Sequence, residues 1–136
     1  MRVELRQVGA VAFEASGDSG GRALLEGSAD LGGEGRGMRP TEALLSALGT
    51  CSAIDVLYIL RKQKEPIEDL QVEIEGERAD EVPARFTKIH LRFVAKGEGL
   101  NEKKVARAVR LSVEKYCSVG ASLREDIEVT HEAVIT

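Results

Sequence analysis

The stretch PTEALLSALGTCSAIDVLYILRKQK, residues 40–64, predicts a long helix around which the rest of the fold is built. Pro40 suits the first helical turn, where its missing N–H costs no hydrogen bond, and Glu42 complements the helix dipole there. Basic residues carry favourable charge at the other end, and Pro66 prevents continuation. Apolar side chains occur on nearly all sides of this helix, which indicates a buried helix.

Three short strands are predicted before the helix, at 3–7, 11–15 and 22–26. Glycines separate them, and the glycine-rich loop 32–37 leads into the helix. This loop lacks the Gly-Lys-Ser/Thr ending of a phosphate-binding loop, so no nucleotide site is predicted.

A hairpin is predicted after the helix, because apolar and polar residues alternate on both of its strands. The polar face of the first strand carries Glu73 and Glu75, and that of the second carries Lys88 and Arg92. Opposite charges across antiparallel strands stabilise the pairing and help to fix its register.

The remaining chain predicts a helix capped by Asn101 and ending near Tyr116, a short helix at 118–123 and a strand at 127–135. Strands and helices are segregated along the chain, which favours the α+β class with an antiparallel sheet packed on the central helix. The length of 136 residues fits a single domain, residues 1–136.

Composition excludes several classes of function. The net charge is −4 and the chain has no Trp, so neither the basic surface nor the aromatic platform of a nucleic-acid-binding protein is present. Charged residues occupy the N-terminus, where a signal peptide needs an apolar run. Polar residues including Asp55 make the long helix a poor membrane span. We therefore expect a cytoplasmic protein without a membrane partner, in a compartment that keeps thiols reduced.

The chain has two cysteines, Cys51 in the middle of the long helix and Cys117 at the end of the second one. One interpretation is a redox pair, in which a thiolate reacts with a peroxide and the second thiol captures the resulting sulfenic acid. The other is two buried cysteines that act as small apolar side chains. Two cysteines without a nearby histidine make a poor zinc site, so no metal is predicted. Gly49, beside Cys51, indicates a close approach of another element to the helix.

Three segments resemble the OsmC/Ohr family of osmotically inducible protein C and organic hydroperoxide resistance proteins. They are PTEALLSALGTCSAIDV (40–56), PARFTKIHL (83–91) and LSVEKYCSV (111–119). Both cysteine motifs agree in order and spacing, and the similarity covers nearly the whole chain.

The resemblance implies an OsmC-like fold, in which antiparallel sheets wrap around long buried central helices in an intertwined homodimer with active sites at the interface. It also implies a thiol-dependent peroxidase that reduces organic hydroperoxides as part of an oxidative stress response. Cys51 would be the nucleophile and Cys117 the resolving cysteine, closing a disulfide that a dithiol or lipoyl-type reductant reopens. No metal or organic cofactor is implied.

The family's hydroperoxide-resistance branch also uses a Glu and an Arg at the thiol. The Glu directly follows the helix-opening Pro in that branch, whereas here the acid is Glu42, one position later and turned by about 100°. Arg39 is the first candidate for the cation that stabilises the thiolate, followed by Arg22 and Arg36. First-turn dipole stabilisation for Glu42, and solvated loop positions for the arginines, are the alternatives.

Two other functions remain open. The protein could be a redox-responsive sensing or binding protein that holds a small apolar ligand and has little peroxidase turnover. It could also be a hot-dog-like acyl-CoA hydrolase, in which case Asp55 is the only acid in the middle of the long helix.

Overall fold

The computed structural model describes all residues, Met1–Thr136, in two compact units, Met1–Leu44 and Leu45–Thr136. The first unit contains a three-stranded antiparallel sheet in the order β1-β2-β3. Its strands are β1 (Val3–Gln7), β2 (Ala12–Gly17) and β3 (Arg22–Glu26). The three predicted strands are confirmed, with β2 shifted by one to two residues.

Glu26, the last residue of β3, holds the glycine-rich loop of the first unit. Its side chain is 3% exposed. Its carboxylate accepts backbone N–H groups from Glu34 at 2.9 Å, Arg36 at 2.8 Å and Gly37 at 3.3 Å. These hydrogen bonds favour the ionised carboxyl, Glu34 most strongly, and lower the pKa of Glu26 below its ordinary 4.5.

We expect Glu26→Gln to remove part of the acid sensitivity of the protein. Because the native pKa of Glu26 is lowered, the unfolded chain binds a proton first, and this stabilisation is lost as the pH falls below 4.5. Urea unfolding at a series of pH values measures the effect. The wild type should lose stability on acidification more steeply than the variant, and the exposed control Glu98→Gln should follow the wild type. Equal slopes for Glu26→Gln and wild type would contradict this role.

Helix α1 (Pro40–Lys62) begins in the first unit and continues through the second. One stripe of it is buried, formed by Leu48, Gly49, Ser52, Val56 and Leu60. On another side Ile54 is 61% and Tyr58 65% exposed. The sequence predicts that α1 is buried on nearly all sides, whereas the other elements of this chain cover only one side of it. By length and hydropathy α1 could also cross a membrane, a test that core helices of soluble proteins pass as well.

The second unit contains a sheet in the order β4-β5-β6, with β4 (Asp69–Arg78), β5 (Phe86–Lys96) and β6 (Glu128–Ile135). The hairpin β4–β5 is antiparallel with Glu73 opposite Arg92, and Arg92 Nη1 lies 3.3 Å from Glu73 Oε2. The predicted hairpin is therefore confirmed, and its observed register places an acidic residue opposite a basic one.

Strand β6 pairs with β5 in parallel, so the prediction of an antiparallel sheet is wrong at this position. The connection between the two strands explains the direction. It consists of α2 (Glu102–Leu111), a π-helical turn (Ser112–Tyr116) and α3 (Ser118–Ala121). A helical crossover of this kind returns the chain to the end of the sheet at which β5 began.

The core of the second unit lies between α1, α2 and the apolar face of β5. The fully buried side chains of β5 recur at every second position, as the alternation predicts. The largest core side chains are Val56, Leu60, Ile89, Leu91, Phe93, Val105 and Val109.

Gly49 allows β4 to approach α1 beside Cys51. A Cβ atom at this position would overlap Cδ1 of Ile74 on β4. The close approach that the sequence predicts at Gly49 is confirmed, and it places Cys51 on a helix fixed against the sheet.

We expect Gly49→Ala to cost about 1–3 kcal/mol of overpacking, against a gain in helix propensity of roughly 1 kcal/mol. Ile74→Val alone removes the overlapping methyl group and should cost about 0.5–1.5 kcal/mol. Chemical denaturation of both single variants and the double variant measures their coupling. The double variant should be more stable than the sum of the single effects predicts. Additivity within about 0.5 kcal/mol would mean that the two residues do not compete for this space.

Candidate active site

Cys51 lies near the middle of α1, at the border of its buried stripe. It is partly exposed, whereas the next residue, Ser52, is fully buried. Cys51 therefore lies on a helix packed against the core and is only partly covered by the rest of this chain.

Cys117 lies at the junction between the π-helical turn and α3. Its backbone N–H donates to the carbonyl of Ser112 at 2.9 Å, and its carbonyl accepts the N–H of Ala121 at 2.9 Å. Its sulfur accepts the N–H of Gly120 at 3.4 Å, which caps α3. Asn101 caps α2 upstream, with its side chain accepting the N–H of Lys104. Two helix caps and a π-helical turn thus fix the position of this thiol.

The structure brings the two cysteines together. Cys51 is near enough to influence the Cys117 thiol electrostatically, and no disulfide joins the two residues in this structure. The Cys117 sulfur also lies 3.9 Å from the carbonyl oxygen of Leu48, one turn before Cys51 on α1. Burial raises the pKa of the Cys117 thiol, and the neighbouring Cys51 sulfur raises it further. Both effects favour the protonated form of Cys117, which is 3% exposed.

The residues predicted to assist the thiols belong to the first unit. Glu42 accepts the backbone N–H of Arg39 at 3.1 Å, an interaction that caps the start of α1. The side chain of Arg39 is close enough to Asp30 to lower the pKa of that carboxyl, after the larger effect of the Ser28 hydroxyl. A role for Arg39 or Glu42 at the thiols remains a prediction.

The two other candidate arginines form ion pairs within the first unit. Arg22 lies 3.6 Å from Glu14, and Arg36 lies 3.4 Å from Glu34 and 4.0 Å from Glu26. Their observed partners are therefore carboxylates of the loop and sheet that carry them.

Sequence reasoning missed two buried serines beside the cysteines. Ser52 and Ser112 are both fully buried, and their hydroxyl oxygens lie 2.8 Å apart. Asp55, considered above as a hydrolase acid, lies 3.3 Å from the Ser112 hydroxyl through its Oδ2 atom. The available signal was that each serine lies in a cysteine motif at a position where the helical pattern predicts an apolar side chain.

A groove of about 600 Å³ lies between α1 and α2 in the second unit. It begins at Asp55, one helical turn beyond Cys51. Its lining combines aromatic, apolar and basic side chains, namely Tyr58, Ile59, Lys62, Gln63, Arg107, Leu111 and Tyr116. No group of three or more His, Cys, Asp or Glu side chains in the chain could hold a metal ion.

Comparison with known proteins gives the family. The model of the OsmC-like protein family matches residues 33–132, which include both cysteines. The chain belongs to the OsmC-like protein family.

Among individual proteins, the chain is 38% identical over 131 residues to Protein YhfA of Escherichia coli K12, covering 96% of this chain and 95% of the relative. A crystal structure of a hypothetical protein from Aquifex aeolicus superposes with a TM-score of 0.82 at 29% identity, covering 99% of this chain and 96% of the other. The organic hydroperoxide resistance protein OhrB of Bacillus subtilis superposes with a TM-score of 0.63 at 19% identity, covering 98% and 96%. This last likeness is one of fold, and together they confirm the predicted α+β, OsmC-like class.

Proposed function

We propose that this protein is a thiol-dependent peroxidase that reduces organic hydroperoxides with Cys51 as nucleophile and Cys117 as resolving cysteine. The observation that carries the proposal is the position of Cys117, whose sulfur lies 3.9 Å from the carbonyl oxygen of Leu48, one turn before Cys51 on the same helix. A relative of the same fold bears the name of an organic hydroperoxide resistance protein, which agrees with this chemistry.

In the first step the Cys51 thiolate attacks one peroxide oxygen. An S–O bond forms, the O–O bond breaks, and the alcohol leaves after taking a proton. Cys51 is oxidised to a sulfenic acid while the hydroperoxide is reduced. Partial exposure of Cys51 is consistent with access for this substrate.

In the second step the Cys117 sulfur attacks the Cys51 sulfenic acid. The S–S bond forms, the S–O bond breaks, and the departing hydroxide leaves as water with the proton of Cys117. The raised pKa of Cys117 fits this order, because a protonated thiol competes poorly for the peroxide and carries the proton that the leaving group needs. A dithiol then reduces the disulfide by exchange and becomes oxidised itself.

We further expect a cytoplasmic homodimer. The exposed apolar side chains of Ile54 and Tyr58 lie on the helix that carries Cys51, and large exposed apolar side chains favour a protein partner. The cytoplasmic location is proposed because the peroxidase cycle needs thiols that are returned to the reduced state, as that compartment does.

Hydroperoxide consumption tests the proposal. Reduced protein is mixed with cumene hydroperoxide and dihydrolipoamide, and residual peroxide is measured over time. The proposal requires many turnovers per protein molecule, with dihydrolipoamide oxidised one for one with peroxide. Consumption no faster than with dihydrolipoamide alone would reject the peroxidase.

A second candidate function is the binding of a small apolar ligand with redox sensing by the thiols. The groove beside Asp55 favours it, because its volume and its combination of apolar and polar side chains suit a small amphipathic molecule. Saturable binding of a hydrophobic dye, combined with a single oxidation and no turnover, would select this function over the peroxidase.

A further inference from the structure

A buried polar cluster, formed by Ser52, Ser112 and Asp55, connects α1 to the π-helical turn that ends at Cys117. Ser52 and Ser112 are fully buried. The Ser112 hydroxyl lies 2.8 Å from the Ser52 hydroxyl, 2.9 Å from the Ser52 carbonyl oxygen and 3.3 Å from Asp55 Oδ2. Serine hydroxyls in a protein core are uncommon, and these two form hydrogen bonds to each other across 60 residues of sequence.

The protons in this cluster can be assigned from the chemistry of its members. The Ser52 carbonyl can only accept, so the single proton of Ser112 is directed mainly toward it at 2.9 Å, with Asp55 Oδ2 farther away at 3.3 Å. Ser52 then donates its own proton to the Ser112 oxygen. Both serine hydroxyls then donate a hydrogen bond, so the link between α1 and the π-helical turn is buried and has a defined direction of hydrogen bonding.

The cluster is attached to both cysteines through the backbone. Ser52 follows Cys51 directly, and the carbonyl of Ser112 accepts the N–H of Cys117 at 2.9 Å. The two cysteines are therefore joined by a short path. It consists of one peptide bond, the contact between the two serines and one backbone hydrogen bond. Ser112 is also the first residue of the π-helical turn, a distortion that occurs often at functional sites.

We propose that Ser52 and Ser112 are positioning residues that hold Cys117 against Cys51 and so set the rate of disulfide closure. The proposal rests on the proposed function for its role in turnover. The serines do not contact the hydroperoxide in this scheme. They act on the second step alone, in which Cys117 displaces hydroxide from the Cys51 sulfenic acid.

Ser112→Ala separates the two steps. Reduced protein is mixed with one equivalent of cumene hydroperoxide in a quenched-flow instrument, and dimedone traps the Cys51 sulfenic acid. Mass spectrometry then measures the amounts of trapped sulfenic acid and of disulfide at each time. We expect the sulfenic acid to form at the wild-type rate and the disulfide to close about 10- to 100-fold more slowly, as for a misplaced reacting group. Under excess hydroperoxide, Cys51 should then become sulfinic acid.

A matched control is Ser122→Ala. Ser122 also donates its hydroxyl to a backbone carbonyl close to Cys117, that of Ser118 at 2.7 Å, but it is exposed and outside the cluster. Both steps should remain at wild-type rates in this control. Ser52→Ala removes the other hydroxyl of the pair and should reproduce the slow closure, which keeps the test available if Ser112→Ala does not fold.

A glutathione redox buffer provides a readout that needs no peroxidase activity. Oxidised glutathione converts the two thiols to the Cys51–Cys117 disulfide and is itself reduced to two glutathione molecules. The equilibrium constant reports how well the thiols are held together, and Ser112→Ala should lower it by about tenfold.

The outcomes are distinguishable. Closure rate and glutathione equilibrium both at wild-type values in Ser112→Ala, even with a lowered Tm, would overturn the positioning role and leave a structural one. If the wild type does not consume hydroperoxide, but Ser112→Ala lowers the glutathione equilibrium constant, the peroxidase is rejected and the positioning role is retained. A wild type that forms no disulfide in either experiment would overturn both.

Discussion

Cys51→Ser is expected to abolish hydroperoxide consumption. A serine hydroxyl is not ionised near neutral pH and cannot form a sulfenic acid, so the first chemical step has no replacement. We expect the dithiol-supported rate to fall at least about 1,000-fold, toward the background of the reductant alone. Stopped-flow measurement of cumene hydroperoxide consumption at fixed dihydrolipoamide gives the ratio.

The control for Cys51→Ser is a measurement of its Tm, which shows whether the variant is still folded. Cys51 is only partly buried and serine is nearly isosteric with it, so the Tm should change little. Consumption at more than a tenth of the wild-type rate in a folded Cys51→Ser protein would assign the nucleophile to another group and remove the basis of the proposed mechanism.

Cys117→Ser is expected to leave the oxidation of Cys51 by hydroperoxide intact but to remove the protection of Cys51 against over-oxidation. Cys51 retains its thiol, so the first equivalent of hydroperoxide should be consumed at close to the wild-type rate. Without a resolving thiol the sulfenic acid persists and reacts again, giving sulfinic acid that dithiols do not reduce. Intact-protein mass spectrometry after excess hydroperoxide should show two added oxygen atoms in the variant and an intramolecular disulfide in the wild type.

The result that would contradict this role of Cys117 is resistance of Cys117→Ser to over-oxidation. A variant that survives excess hydroperoxide as well as the wild type would show that the external reductant reaches the Cys51 sulfenic acid directly. Cys117 would then be a buried small side chain, the alternative that the sequence leaves open.

The local structure was largely predictable, because it follows from residue patterns. Alternating apolar and polar residues predicted the β4–β5 hairpin with an acidic strand beside a basic one, and Pro40 and Asn101 marked the starts of their helices correctly. The direction of β6 was not predictable from these patterns, since alternation is the same in parallel and antiparallel strands. Its direction depends on the crossover through α2, the π-helical turn and α3.

The site was only partly predictable for a related reason. The two cysteines were found from the sequence and their separate roles came from the resemblance of their motifs, whereas the approach of Cys117 to α1 depends on the tertiary fold. Ser52 and Ser112 interrupt the apolar pattern of their helices, but a serine in a helix is most often exposed, so this signal alone does not indicate a buried pair. Glu26 was missed as well, since its partners are backbone N–H groups of the glycine-rich loop and backbone groups have no sequence signature.

Glu42 carries two separate expectations, of which the structure shows one. Its position in the first turn of α1 predicts a helix-stabilising carboxylate, and its hydrogen bond from the Arg39 N–H fulfils that role. The resemblance predicts a second role near the thiol, for which Arg39 and Glu42 remain candidates.

The central claim is that Cys51 and Cys117 form one redox unit within a chain. Peptide mapping without reductant, after one equivalent of cumene hydroperoxide, tests it most directly. We predict a single disulfide-linked peptide pair containing Cys51 and Cys117, present in monomeric protein on a denaturing gel. Two free thiols, or disulfides only between separate chains, would contradict the account.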